Sequence, residues 1–321
     1  MSEEEALGRG LEERPRSVAA HLAMAGFQAR SGKEQLAITY YRTALRLAGC
    51  QEIDGESEQM LAAGRAALAR LEAAADARRE ARLKERGVLK DQRSPRFQEA
   101  LDIAAGRLKT YVQEPTAFSY PGLAAVQFFD PAEFSWSGSV EAATGAIREE
   151  LGALLSGGAD GFRPYVQHNS VAPEANKALL GKRDWSILGL CENGWVAPGI
   201  VERCPRTWDA ILKAPLPRIA GWGPTIVFSM LKAGARIAPH TGMFNTRLVC
   251  HLPLVVPPGC GFRVGNQVRQ WEVGKLLIFD DTIEHEAWND SEEDRIVLIF
   301  DIWRPELSEE ERYQLTALFS D

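Results

Sequence analysis

The apolar positions of this chain change period once, and that change limits the folds open to it. From residue 15 to about 90, alanine, leucine, arginine and glutamate recur with apolar positions three and four apart, the spacing of amphipathic helices. From about Asp184 onward, β-branched and aromatic residues gather in short runs broken by glycine and proline. Examples are Ile226 to Leu231, Thr246 to Val256, Lys275 to Phe279 and Ile296 to Trp303. Such runs read as strands. Helices followed by strands make an α+β chain: an N-terminal helical region, then a sandwich or double-stranded β-helix of the jelly-roll or cupin-like kind.

In the helical part, Val18 to Arg30, the turn Ser31-Gly32-Lys33 and Leu36 to Leu45 form a helix-turn-helix pair. Its residues Ala25, Gly26, Tyr40 or Tyr41, and Ala44 resemble a tetratricopeptide repeat. Ser57 to Arg82 adds a third, alanine-rich helix. About three repeats are needed to bury a continuous core, so the region reads as an appendage that packs on the main domain, pairs with a second copy, or binds a protein partner. Lys90 to Pro95 reads as the boundary, because polar residues and proline interrupt the helical period. The expected domains are 1–94 and 95–321. Within the second, Phe97 to Tyr111 and Ser139 to Leu155 read as further helices.

Composition excludes several roles. A net charge of −7 lacks the basic face that nucleic acid calls for. No apolar run approaches the roughly 20 residues that span a bilayer, and the acidic start Met1-Ser-Glu-Glu-Glu is unlike a secretory signal. The five cysteines are scattered and odd in number, which fits core packing in a reducing cytoplasm better than disulfides or a metal site.

Chemistry concentrates near the strands. His240 opens His-Thr-Gly, His285 lies in Asp-Asp-Thr-Ile-Glu-His-Glu-Ala-Trp, and Arg295 begins an apolar run. Side chains alternate across a strand. In Arg247 to Leu252, one face carries Arg247, Val249 and His251; in Arg295 to Asp301, one face carries Arg295, Val297, Ile299 and Asp301. An arginine inside so apolar a strand calls for an anion. Iron oxygenases hold the metal with imidazole and carboxylate ligands and leave positions open for co-substrate and oxygen. Here Gly242 stands where the usual His-x-Asp/Glu pattern has its carboxylate, leaving two histidines, to which a bidentate 2-oxoacid would add two donors. The bland alternative makes His240 a turn cap after Pro239 and His285 a core histidine. Both are less economical once Arg295 is counted.

Four phrases carry a family likeness: Ile237-Ala-Pro-His-Thr-Gly242, Asn245 to Leu252, Leu277 to Asn289 and Phe300-Asp-Ile-Trp-Arg-Pro305. With their spacing, they resemble the aspartyl/asparaginyl β-hydroxylase family, and Phe118 to Leu123 and Phe128 to Phe134 resemble its lead-in. The resemblance implies a double-stranded β-helix using Fe(II), 2-oxoglutarate and O2. It implies His240 and His285 as iron ligands, with the missing carboxylate at Gly242 a shared trait. It further implies that Arg295, Ser229 and His251 bind 2-oxoglutarate and that Arg247 meets the substrate, a small molecule or peptide. Val249 and Val227 depart from the pattern, standing where the animal enzymes carry arginine and lysine, so the acidic substrate does not transfer with the fold. A membrane-anchored branch acts on lipid acyl chains, and the absence of a spanning run disfavours that role.

Lesser signals read as structure. Gly259 to Gly265 lacks phosphate-loop spacing and reads as a turn between strands. Asp280 and Asp281 read as a strand-end turn, with Asp281 a candidate neighbour of a ligand histidine. His21 and His168 have no companions at ligand spacing, and Trp271, Trp288 and Trp303 read as core or pocket walls. Hydroxylation of an unactivated C–H is the leading expectation. Two others stand beside it: an iron halogenase with chloride in the open position at Gly242, and a non-catalytic binding protein.

Overall fold

The computed structural model describes residues 1–50, 55–156, 161–167 and 174–320; His168 lies outside them. The chain forms two compact units, residues 1–109 and 110–321.

The first unit is helical: α1 (Glu3–Glu13), α2 (Val18–Arg30), α3 (Glu34–Ala48), α4 (Gly55–Glu85) and α5 (Pro95–Ala104). Leu22 and Ala25 of α2, Ile38, Tyr41 and Ala44 of α3, and Leu61 and Leu68 of α4 share one buried cluster, the stripe that the apolar spacing foretold. Helix α1 went unread, although Ser2 and Glu5 make a capping box at its start. The expected boundary at Lys90–Pro95 differs from the structure, where residues 95–109 pack with the helical unit. The reason is local: the Ser94 hydroxyl accepts from the Phe97 N–H and Pro95 occupies the first turn, so Ser-Pro starts a helix rather than a linker. Arg42 then donates to the Ala105 carbonyl at 2.9 Å, fastening the end of α5 to α3.

In the second unit, helices α6 (Ser137–Ala142), α7 (Thr144–Ser156), α8 (Pro198–Val201), α9 (Pro205–Ile211) and α10 (Glu309–Phe319) accompany twelve strands. These are β1 (Phe128–Phe129), β2 (Arg163–Pro164), β3 (Trp185–Glu192), β4 (Trp195–Val196), β5 (Ile226–Leu231), β6 (Arg236–His240), β7 (Arg247–Val255), β8 (Cys260–Val264), β9 (Gln267–Arg269), β10 (Leu277–Phe279), β11 (His285–Asn289) and β12 (Arg295–Trp303). One sheet runs β1-β10-β7-β12-β5-β3-β2, with β4 on β3; the other runs β6-β11-β8-β9. All pairings are antiparallel. Two such sheets facing each other form a double-stranded β-helix. The segment Gly259 to Gly265 is strand β8 between two glycines of positive φ, not a turn.

Strand parity divides the larger sheet. Leu248, Cys250 and Leu252 of β7, with Leu298 and Phe300 of β12, join the core beneath α6, α7 and α9. Val297 of β12 and Phe279 of β10 face inward and cluster with Phe262, Val264 and Ala287 of the smaller sheet. The inward row therefore includes Arg247, Val249 and His251 of β7 and Arg295 of β12. Among the described residues, no helix is long and apolar enough to cross a membrane. Four of the five cysteines are buried and all are free.

Candidate active site

The smaller sheet places the two histidines side by side. His240 ends β6, His285 begins β11, and they are direct partners in the antiparallel register. Their ring centroids are 4.1 Å apart. His240 Nδ1 lies 2.9 Å from the Ala238 carbonyl and His285 Nδ1 3.0 Å from that of Ile283. A carbonyl only accepts, so each Nδ1 carries the proton and each Nε2 keeps its lone pair. Burial, and for His285 the neighbouring His240, push both imidazoles below their ordinary value, His285 well below. Neutral rings with free lone pairs are the form that binds a metal. Among the described residues, no three of His, Cys, Asp and Glu gather as a metal cage.

The loops that carry these rings are tied together. Gly242 N–H donates to the Asp281 carbonyl at 2.7 Å, while the lead-in strap donates from Glu114 to Thr282 and from Thr116 to Gly242. Beneath them, the fully buried Arg304 and Asp280 pair at 2.6 Å. Asp280 also accepts from Gln113 and from the Thr282 hydroxyl.

The position expected to be open at Gly242 is filled. A Cβ on Gly242 would collide with the carboxylate of Asp281, which occupies the space a side chain there would take. Asp281 is buried, its Oδ1 has no partner, and burial pushes its carboxyl up to about 7 against the pull of Arg247.

Across the cavity, Arg295 is 1% exposed. Its guanidinium sits over the Trp271 ring at 4.6 Å, and its Nε has no hydrogen-bond partner. Burial brings its pKa down to about 10, and no carboxylate among the described residues offsets this. Trp271 Nε1 in turn donates to His251 Nδ1 at 3.3 Å, and burial with Arg295 nearby holds His251 well below its ordinary value. Ser229, inward on β5, accepts from Trp185 Nε1 at 3.2 Å. Trp185 also approaches His240, at 6.2 Å between rings, and stacks on Tyr165.

Arg247 lies apart from Arg295, donating to Asp301 Oδ2 at 2.7 Å and standing 3.9 Å from Asp281 Oδ2. It borders an open cleft whose other walls include Trp222, Phe244, Trp303 and Phe319.

The cavity thus brings His240 together with His285, and Arg295 together with His251, while Arg247 belongs to a separate acidic corner. Reading the sequence missed Trp185, Trp271 as a hydrogen-bond donor, and the Arg304–Asp280 pair. A fully apolar strand flanked by lone tryptophans was the only signal for the first two. Trp271 lies in the inner cluster and Trp303 borders the cleft, and His21 is a buried residue of α2 whose Nδ1 lies 2.8 Å from the Ser17 carbonyl.

Comparison with known proteins adds a lineage. A family model described as aspartyl/asparaginyl beta-hydroxylase matches residues 141–305. Human aspartyl/asparaginyl beta-hydroxylase is 33% identical over 211 residues, covering 64% of this chain and 26% of that protein. The ornithine lipid ester-linked acyl 2-hydroxylase of Rhizobium tropici is 33% identical over 195 residues, covering 60% of this chain and 66% of that protein. Human aspartate beta-hydroxylase domain-containing protein 2 is 34% identical over 143 residues, 43% of this chain and 38% of that one. The matched region spans about a quarter of the human and mouse hydroxylases, 26% and 27% of their lengths.

Proposed function

This chain belongs to the aspartyl/asparaginyl β-hydroxylase family, and from that premise we propose that it is an Fe(II)- and 2-oxoglutarate-dependent dioxygenase. Its reaction is hydroxylation of an unactivated C–H, on the β-carbon of an aspartyl- or asparaginyl-type substrate that is free, peptide-borne or carrier-bound. The observation that carries this reading is the buried guanidinium of Arg295, whose Nε has no hydrogen-bond partner and which no carboxylate among the described residues offsets. A desolvated charge of that kind is costly unless an anion meets it. A dicarboxylate whose other end chelates a metal on the histidine pair supplies one.

The residues fit the implied group. Two neutral imidazoles with adjacent rings present two nitrogen donors, and the buried carboxyl of Asp281 fills the space beside Gly242. His240 and His285 would hold the iron through Nε2. Bound Fe(II), with 2-oxoglutarate and O2, supplies the oxidising power to put one oxygen atom into a C–H bond, the second oxygen going into succinate as CO2 is released. The protein binds, orients and keeps water out. The Arg295 fork takes the far carboxylate of 2-oxoglutarate. Ser229 and the neutral His251 line its path, and Trp271 fixes the His251 ring. Val227, Phe262 and Phe279, all buried, keep the chamber dry.

The deciding experiment incubates the protein with Fe(II), 2-oxoglutarate, air and a fractionated cell extract. We expect products heavier by one oxygen atom with matching succinate, and none from His285→Ala. Equal turnover by His285→Ala would reject the assignment.

A further inference from the structure

The inward positions of β5, β7, β10 and β12 carry two cationic side chains, Arg247 and Arg295. In the proposed reaction Arg295 is committed to 2-oxoglutarate, and of the cations on these four strands Arg247 is the one available to meet the substrate. It is already matched. Asp301, 3% exposed, takes one arm of its fork at 2.7 Å and Asp281 stands 3.9 Å from the other. The Asp301 carboxylate is itself fixed, because its Oδ1 accepts from the Thr225 N–H at 2.6 Å. One guanidinium therefore faces two carboxylates, and a substrate carboxylate would be the third anion in that corner.

The groups still unpaired ask for something different. Arg247 Nε is a buried donor without a partner, and Asp281 Oδ1 is a buried acceptor without one. A carboxamide brings an acceptor and a donor on adjacent atoms and no net charge. The neighbouring inward positions are apolar: Val249 is the register partner of Asp301, and Val227 pairs with Ile299 in the next row. Neither offers a cation to an acidic side chain.

Resting on the reading above, we infer that the cavity takes substrates presenting an uncharged carboxamide at Arg247 and rejects the matching carboxylate, with Asp301 as the residue that sets this choice. Burying an isolated carboxylate against two others costs far more than hydrogen-bonding an amide there.

The test measures binding rather than turnover. The full-length protein is loaded with redox-inert Zn(II) and 2-oxoglutarate, then titrated at pH 8 with capped asparagine and capped aspartate, each N-acetylated and C-methylamidated. Calorimetry should show the asparagine probe binding at least ~10-fold tighter, about 1.4 kcal/mol. Asp301→Asn, which keeps the Thr225 contact, should shrink or invert that ratio by freeing Arg247. Val249→Arg, which adds a guanidinium beside Asp301, should do the same in an otherwise native corner. Equal binding of the two probes, preference for aspartate, or no binding of asparagine overturns the inference while leaving the dioxygenase reading intact, provided 2-oxoglutarate still binds and Arg295→Met weakens it. If 2-oxoglutarate does not bind, the reading falls and the inference with it.

Discussion

The two units differ in how much charge they bury. In the helical unit most ion pairs lie at the surface: Arg30 with Glu3 and Lys33 with Glu4 leave both partners about half exposed or more, although Arg93 is buried against Glu80. Exposed pairs contribute about 0–1 kcal/mol each and keep the surface soluble. The barrel unit has surface pairs too, such as Arg236 with Asp290, but it also buries charge: Arg304 and Asp280 are fully buried together, Arg295 is buried with no carboxylate partner among the described residues, and Arg247 shares two carboxylates. Interior charges cost several kcal/mol to desolvate. A fold that keeps three arginines inside one small barrel needs partners for them in loops or ligands.

The contrast breaks hardest at the buried pair. Asp280→Asn leaves Arg304 with only Glu306 and carbonyl partners, and removing one member of a buried pair costs about 3–5 kcal/mol. All eight tryptophans lie in residues 110–321, so tryptophan fluorescence reports the barrel unit alone. Urea unfolding followed by fluorescence should show that loss. Because Asp280 also holds Thr282, beneath the loop that carries His285, Zn(II) affinity should drop in the same variant. An unchanged fluorescence midpoint would mean the pair is not what holds the turn.

Arg295→Met should act in two opposite directions. Without ligand, replacing a buried guanidinium that no carboxylate offsets by an apolar chain of similar length should stabilise the barrel by about 1–3 kcal/mol. With ligand, losing a charged fork should weaken 2-oxoglutarate binding by about 2–3 kcal/mol, or on the order of 100-fold. The pH dependence has a definite sign. Burial has lowered the folded value of Arg295 to about 10, below that of the unfolded chain. The cost of burying its charge is therefore fully present below pH 10 and eases above it. A bound carboxylate favours the charged form, so native affinity for 2-oxoglutarate should be highest below pH 10 and fall as pH rises through it. Arg295→Met should be flat across the same range. Parallel curves for the two proteins would remove Arg295 from the co-substrate site.

What the sequence made legible follows its physics. Strand alternation has a period of two, so the inward placement of Arg247, Val249 and His251 could be read directly, and Leu248, Cys250 and Leu252 do lie in the opposite core. The adjacency of His240 and His285 was implied only by the family likeness, because β6 and β11 are far apart in the chain and register across that gap leaves no local mark. Asp281 was singled out as a neighbour of a ligand histidine, but that its carboxyl fills the space beside Gly242 left no mark in the sequence, because it arrives from another loop. The unit boundary slipped for a local reason, since Ser-Pro serves equally as a break and as the capped first turn of α5. The Ser2–Glu5 capping box shows that α1 was readable and was passed over as merely acidic.

The smallest of the expected effects probes the helical unit, where packing rather than charge decides. Gly64 sits inside α4, and a Cβ there would come within 2.7 Å of the Leu22 Cδ2 methyl and 3.5 Å of the Tyr41 ring. Two terms compete. Alanine in place of glycine gains up to about 1 kcal/mol of helix propensity, whereas the close contact must be relieved by shifting Leu22, a flexible but buried side chain. Gly64→Ala should therefore come out near zero. Gly64→Leu gains no more propensity and pushes several further atoms into the contact between α4 and the α2–α3 pair, an overpacking that costs about 1–3 kcal/mol. Far-UV circular dichroism should show the early loss of helix in Gly64→Leu, while the tryptophan-reported midpoint of the barrel stays where it was. If both signals shift together, the two units unfold as one and the contrast between them is structural only, not thermodynamic.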